Sequence, residues 1–243
     1  MNNAIEEHRA SLHTMKNARV IGSLMLAQLV FGIFLNFFLL KLIFNFDAQS
    51  SQDSLHYLIG SCTLLALLLS SFNIFYGLLI PRSNTKGTDN GIILIVILAC
   101  VGFMLCTLEY IKMTEYITYA SSLAHQPSES ITAGHELIRK TLANGRNEAH
   151  YLSIIMSSLS ILLFYVITLR SSLLPKLLSS FAIFACSLQL IAVGHTLFNL
   201  EIPNLLQLPI LISQAIVPIY LIAKGFSTTS IASGDSNLQP SYE

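Results

Sequence analysis

Six stretches of about 20 residues contain no Asp, Glu, Lys or Arg: Val20–Leu40, Tyr57–Ile80, Gly91–Leu108, Tyr151–Leu169, Leu177–Leu200 and Ile202–Ala223. An α-helix rises 1.5 Å per residue, so about 20 residues cross the ~30 Å hydrocarbon layer of a membrane. The apolar runs are continuous and do not alternate as barrel strands do. The pattern therefore predicts an all-α, polytopic integral membrane protein with six transmembrane helices.

The predicted domain organisation follows from these runs. Residues 1–19 form a cytoplasmic N-terminal segment, residues 20–226 a six-helix transmembrane domain, and residues 227–243, which are small and polar, a disordered tail. The approximate spans are 20–44, 55–80, 91–118, 149–169, 177–200 and 204–224.

Two local features refine this organisation. The only long connection carries apolar residues at helical spacing, and Ser130 and Gly145 are suited to its two ends. It predicts an amphipathic loop helix over 131–143, lying on the outer membrane interface. In the sixth span, Pro209 and Pro218 each remove a backbone hydrogen bond and predict a kinked helix.

Composition and charge agree with a membrane location. The chain is 53% hydrophobic and 11% charged, whereas about 25% of the residues in a soluble domain are charged. Thirteen basic and thirteen acidic residues give no net charge, so the expected partner is a lipid bilayer and not nucleic acid. Loops rich in Lys and Arg stay on the cytoplasmic side of a membrane. With six spans, the loops richer in these residues fall on that side if both termini are cytoplasmic. We therefore predict an N-in/C-in protein of the bacterial inner membrane, with its oligomeric state left open.

Polar residues recur at one predicted depth. Spans two and four enter from the outer side with His56 and His150, and spans three and five bring Glu109 and His195 to the same half. Asn199 lies four residues after His195 and would share its helical face. Because ionisable groups are costly inside a bilayer, they often mark functional sites. These five residues are the predicted lining of an outward-facing polar pocket.

Two chemistries fit this pocket. Three imidazoles and a carboxylate, from His56, His150, His195 and Glu109, could hold Zn or Fe with an open position for water. The same groups could instead relay protons or bind a small solute, including a cationic one.

No catalytic motif decides between them, since HExxH, Walker A, GxGxxG and nucleophile-elbow sequences are missing from the chain. Whether the protein is an enzyme is therefore open. The first hypothesis is a binding or transport-like protein with an outward-facing polar pocket. The alternatives are a membrane-embedded metal-dependent enzyme and a small structural or regulatory membrane protein without a site.

A likeness between two halves suggests an internal repeat. The sequence His-Tyr-Leu begins both at His56 and at His150, and a Pro-basic pair follows each at the same spacing, at Pro81 and Pro175. A repeated two-helix hairpin would make His56 equivalent to His150 and would place Glu109 near the equivalent of His195.

Three further stretches carry a family resemblance: "ARVIGSLML" at Ala18–Leu26, "LRSSLLPKLL" at Leu169–Leu178 and "YLIAKGF" at Tyr220–Phe226. They resemble the opening, middle turn and closing segment of the bacterial membrane family called domain of unknown function, number 4386. In that family a glycine usually stands at Ser179, a tryptophan at Tyr220 and an arginine at Cys106, whereas Glu109 matches a frequent glutamate. The resemblance implies a six-helix membrane protein and no particular activity.

Overall fold

The chain forms helices joined by short connections. The structure, a computed structural model, describes residues 2–44, 52–81, 88–124, 132–198 and 200–227. The α-helices are α1 (Asn2–Phe34), α2 (Leu40–Phe44), α3 (Gln52–Leu79), α4 (Thr88–Ala124), α5 (Ala133–Arg170), α6 (Lys176–Gly194) and α7 (Leu208–Lys224). A π-helical segment, Leu35–Leu39, joins α1 to α2, and the 3₁₀ turns His195–Phe198 and Asn204–Gln207 lie between α6 and α7.

Six of these helical segments are long and apolar enough to cross a membrane. They are Leu12–Ile43, Ser54–Leu79, Thr88–Leu123, Ala133–Arg170, Lys176–Phe198 and Leu205–Lys224. The described residues contain helices and no strands, which confirms the predicted all-α fold and its number of spans. The apolar runs locate the spans well because lipid-facing helices need apolar residues all round.

The six spanning segments form a closed ring. Along the chain α1 packs against α3, α3 against α4, α4 against α5, α5 against α6 and α6 against α7. The last helix, α7, then packs extensively against α1, the first. A ring of six helices encloses space along its axis, and the side chains that face this axis are the candidates for a site.

One end of the ring, which we call the closed end, is filled by apolar side chains. Ile21 of α1, Leu173 of the turn after α5, and Leu221 and Phe226 of the C-terminal segment are buried together. The backbone N–H of Ser227 donates to the carbonyl of Leu173 at 2.9 Å, so the end of α7 is tied to the turn between α5 and α6.

The segment predicted as a separate interfacial helix belongs to α5. This helix runs without a break from Ala133 to Arg170, and Gly145 lies inside it. Thr132 caps its first turn in a capping box with His135, whereas Ser130 lies outside the described residues. The helix continues because α4 is equally long and packs beside it, with the Tyr119 hydroxyl 3.4 Å from the carbonyl of His135.

Two other features differ from the sequence-based expectation. Pro209 lies in the first turn of α7, where its missing N–H has no helical partner to lose, so of the two prolines Pro218 alone is in the helix interior. The α-helical part of span five ends at Gly194, and His195 lies in a 3₁₀ turn. Asn199 and residues 228–243, which make up nearly all of the predicted tail, lie outside the described residues.

Candidate functional site

Glu109 is a buried carboxylate in the second half of α4. Its side chain is 6% exposed, and one of its oxygens, Oε1, receives two charged or polar donors from α5. Arg146 Nη2 donates at 3.2 Å, and His150 Nδ1 lies at 3.0 Å. The side chains of Arg146 and His150 are 18% and 31% exposed, so both are partly accessible while Glu109 is not. Glu109, Arg146 and His150 are the ionisable triad of the candidate site.

The contact with Glu109 fixes which nitrogen of His150 carries a proton. An ionised carboxylate only accepts hydrogen bonds, so Nδ1 must be the protonated nitrogen in this contact. In the neutral ring, Nε2 is then left as an acceptor for another group. The triad therefore combines a matched ion pair with an imidazole whose second nitrogen is available for binding or proton transfer.

A cavity of about 250 Å³ adjoins the triad. All six spanning segments contribute polar side chains to its wall: Gln28, Asn36, Ser70, Asn73, Glu109, His150, Ser153, Ser157, Gln189 and Gln214. Five of these are carboxamides, which offer donors and acceptors together. A neutral carboxamide costs less to bury than a charge, so this wall can hold a polar group without a further ion.

Hydrogen bonds fix part of this wall. The Tyr76 hydroxyl donates to Gln28 Oε1 at 2.7 Å, and Gln28 Nε2 lies 3.3 Å from the carbonyl of Leu69 and 3.4 Å from Asn73 Oδ1. These contacts join α1 to α3. They hold the Gln28 amide in one orientation and so preset its donor and acceptor sides.

The opposite wall is fixed by the close approach of α4 and α5. A Cβ added to Gly102 would lie 2.7 Å from Ser157 Oγ, so glycine allows the two helices to meet there. Ser153 Oγ donates to the carbonyl of Gly102 at 3.0 Å, and Ser160 Oγ donates to that of Ile95 at the same distance. Small residues and serine hydrogen bonds are common between helices in lipid, and here they lie in the same α4–α5 interface as the contact between His150 and Glu109.

A π-helical segment borders the cavity on the α1 side. Within Leu35–Leu39, the helix widens and the backbone N–H of Leu40 donates to the carbonyl of Leu35. Asn36, which lies in this segment, donates its side-chain amide to the carbonyl of Gly32 at 2.9 Å. Single π-helical turns are frequent at functional sites because they redirect side chains without ending the helix.

The structure brings together only some of the residues predicted from sequence. Glu109 and His150 are in contact, as described above. His56 lies exposed in the first turns of α3, whereas His195 directs Nδ1 to the carbonyl of Ile191 in its own helix at 2.8 Å. The different surroundings of His56 and His150 give no support to the predicted repeat.

The metal hypothesis receives no geometric support. Across the described ranges, no group of three or more His, Cys, Asp or Glu side chains is arranged to hold a metal ion. Zn or Fe held jointly by His56, Glu109, His150 and His195 therefore stays a prediction from sequence alone. The two side chains that contact Glu109 are Arg146 and His150, and a guanidinium is not a metal ligand.

Arg146 and the carboxamides were not identified from the sequence. Arg146 fell in the predicted outer loop, between the loop helix 131–143 and the fourth span at 149–169. The symmetry of the α4–α5 hairpin was a usable signal. In each of these α4–α5 contacts, one residue precedes a midpoint near position 128 by nearly as many positions as the other follows it. That symmetry places Arg146 beside Glu109 once the two helices are taken as continuous.

No curated protein and no solved structure matches the chain. The family model described as Domain of unknown function (DUF4386) matches residues 20–225, which include the triad and the cavity wall. The match confirms the resemblance inferred from the three short stretches. Since it runs through all six spans, the chain belongs to the family of the Domain of unknown function (DUF4386).

Proposed function

We propose that the protein is a binding or transport-like membrane protein that holds the polar group of a small ligand in the cavity beside Glu109. The observation that carries this proposal is the buried carboxylate of Glu109, held by Arg146 and His150, at the wall of a cavity to which all six spans contribute polar side chains. An ion pair that served packing alone would need no such cavity beside it.

The chemistry of the wall favours hydrogen bonding to the ligand over charge neutralisation. Arg146 already matches the charge of Glu109, so an additional charge on the ligand would have to be buried without an obvious counter-ion. His150 Nε2 and the carboxamides of Gln189 and Gln214 can exchange donors and acceptors with a hydroxyl, amide or carbonyl group. The proposed ligand group is therefore uncharged and polar.

We further propose that the protein lies in the bacterial inner membrane with both termini inside, so that the triad is in the outer half. The excess of Lys and Arg in the segments assigned to the inside supports this orientation. Reporter fusions after positions 86 and 176 should then read cytoplasmic and a fusion at position 144 external. The opposite readings would reverse the orientation of the cavity.

Binding is tested by thermal unfolding of the protein in lipid nanodiscs. The probes are glycerol, choline, acetate and monoolein, which differ in charge and in the presence of a chain. A ligand that binds the folded state raises the unfolding midpoint by mass action. We expect an uncharged probe to raise it in the wild type, and this rise to be lost in Gln189→Leu, which removes a carboxamide at nearly constant volume.

Two glutamate variants provide the matched control. Glu109→Gln should reduce the rise, because it changes the acceptor that positions His150. Glu115→Gln, two turns later on the same helix and paired with Lys112 at an exposed position, should leave the rise unchanged. No response to any probe, or equal responses in all variants, would contradict the proposed binding site.

A further inference from the structure

A second chamber adjoins the cavity of the triad. It has a volume of about 480 Å³ and lies mainly between α1 and α7. Gln28, Gly32, Asn36, Ile161 and Gln214 line both spaces, so the two are continuous. The remaining lining of the second chamber is mostly apolar.

The chamber has a buried floor and an exposed rim. Tyr76 and Tyr165 at the floor are each 1% exposed. At the rim, Ile33, Phe37 and Leu211 are 42%, 69% and 47% exposed. In a spanning segment, exposed apolar side chains face lipid. The chamber therefore opens sideways, between α1 and α7, toward the hydrocarbon layer.

Glycine keeps this opening free of side chains. Gly32 is in α1, and a Cβ added to it would meet nothing within 4 Å, although α1 and α7 pack extensively elsewhere. Ten residues earlier on α1, a Cβ added to Gly22 would lie 2.8 Å from the carbonyl oxygen of Pro218 on α7. The two helices thus touch at the closed end and separate beside the chamber.

We infer that the ligand is a single-chain amphiphile with an uncharged polar headgroup, taken up from the membrane between α1 and α7. This inference rests on the proposed function, since the headgroup is the polar group held beside Glu109. The chain lies in the apolar chamber, and the headgroup reaches the carboxamides and His150 through the shared wall at Asn36 and Gln214. A chamber of this volume is in the lower part of the range for small-molecule sites and suits one chain better than two.

The headgroup chemistry follows from the charges already present. Glu109 and Arg146 match each other, and the other polar groups of the shared wall are neutral carboxamides. A hydroxyl-bearing headgroup both donates and accepts, as carboxamides do. An anionic or cationic headgroup would bring an unmatched charge into an apolar surrounding, which is unfavourable.

The experiment uses the full chain in nanodiscs and a monoolein probe with a photoreactive diazirine in its acyl chain. We expect crosslinks on peptides that contain Met25, Leu29 and Leu211, and at least a five-fold loss of these crosslinks in Gly32→Leu. The matched control is Gly60→Leu, since Gly60 is exposed on α3 and a Cβ there also meets nothing within 4 Å. Both variants add the same side chain to an open position, so a general effect on folding would appear in both.

Competition identifies the ligand class. Unlabelled monoolein should displace the probe, whereas a two-chain phospholipid, oleic acid and oleylamine should do so at least ten-fold less well. Glycerol tests whether the headgroup alone is sufficient.

Four results would overturn the inference. If crosslinking of these peptides is equal in wild type and Gly32→Leu, the probe reports lipid at the outer surface only. If the charged chains or the two-chain phospholipid compete best, the stated headgroup or chain number is wrong. If glycerol displaces the probe as well as monoolein does, the inferred entry from the membrane is wrong, but the proposed polar site is retained. If no probe binds, both this inference and the proposed function are contradicted.

Discussion

The two ends of the α1–α7 interface use glycine for opposite purposes. At the closed end Gly22 lets α1 approach the carbonyl of Pro218, and at the chamber Gly32 leaves a space that no neighbour fills. The ten residues between them correspond to about 15 Å along the helix. The closed end is held by apolar packing, whereas the region of the cavity is held by an ion pair between α4 and α5 and by side-chain hydrogen bonds between α1 and α3. The α1–α7 pair therefore combines a tightly packed end with an open one.

The family resemblance falls on the first of these two regions. Ala18–Leu26, Leu169–Leu178 and Tyr220–Phe226 meet at the closed end, where Leu221 packs beside Gly22 and Ser227 binds the carbonyl of Leu173. Gly225 adopts a φ of 75° beside Met15, a conformation that favours glycine. The recognisable motifs thus serve packing and chain reversal. The cavity wall is built from scattered single residues, which short motifs do not capture.

The largest effect is expected when the ion pair between Glu109 and Arg146 is broken. Glu109→Ala removes the acceptor of Arg146 and His150 and should lower the free energy of unfolding by about 3 kcal/mol, as for other pairs that lose one buried partner. Arg146 keeps some access to solvent, which limits the loss. Glu115→Ala, which breaks the exposed pair with Lys112, should cost less than about 1 kcal/mol. Reversible unfolding in mixed micelles measures both, and equal losses would mean that burial of Glu109 has no energetic role.

The next effect separates the two glycines. Gly22→Ala places a methyl group against the backbone of Pro218 and should destabilise the protein by about 2 kcal/mol through overpacking. Gly32→Ala should be neutral or slightly stabilising, because it adds helix propensity in open space. The same unfolding assay compares them. Similar changes in the two variants would remove the distinction between a closed and an open end.

The smallest effect concerns the hydrogen bonds between α4 and α5. Ser160→Ala removes a buried donor to the carbonyl of Ile95 and should cost about 0.6 kcal/mol, the average for such bonds in membrane helices. Ser187→Ala is the control, since Ser187 binds the carbonyl of Ile183 within its own helix. A loss above about 2 kcal/mol would show that this contact, and not the packing around it, sets the helix register.

The sequence predicted the spans far better than the site. Continuous apolar runs locate helices in lipid directly, because each span must be apolar over its whole length. Glu109 and His150 were found because ionisable groups are rare in such runs. Their contact, by contrast, depends on helix rotation and register, which hydropathy does not encode.

Arg146 shows why the rest of the site was missed. Polar residues near the end of an apolar run are equally consistent with a loop and with a helix that extends beyond the membrane. The structure has α4 and α5 at 37 and 38 residues, or about 55 Å each, nearly twice the ~30 Å hydrocarbon thickness. Arg146 lies in this extension and is brought to Glu109 by the length of the hairpin. The carboxamides were missed because each is a single neutral residue in a different span.

The closure of the ring by α7 on α1 has a consequence for synthesis of the protein. Gly22 emerges from the ribosome roughly 200 residues before its contact at Pro218, and at about 5–20 residues per second this delay is on the order of 10–40 s. During that interval the first span has α3 as a partner, but its more extensive interface with the last span does not yet exist. The nascent chain therefore passes through a stage in which the face of α1 that later packs against α7 is uncovered. A chaperone or insertase that shields this face of α1 would act before translation ends.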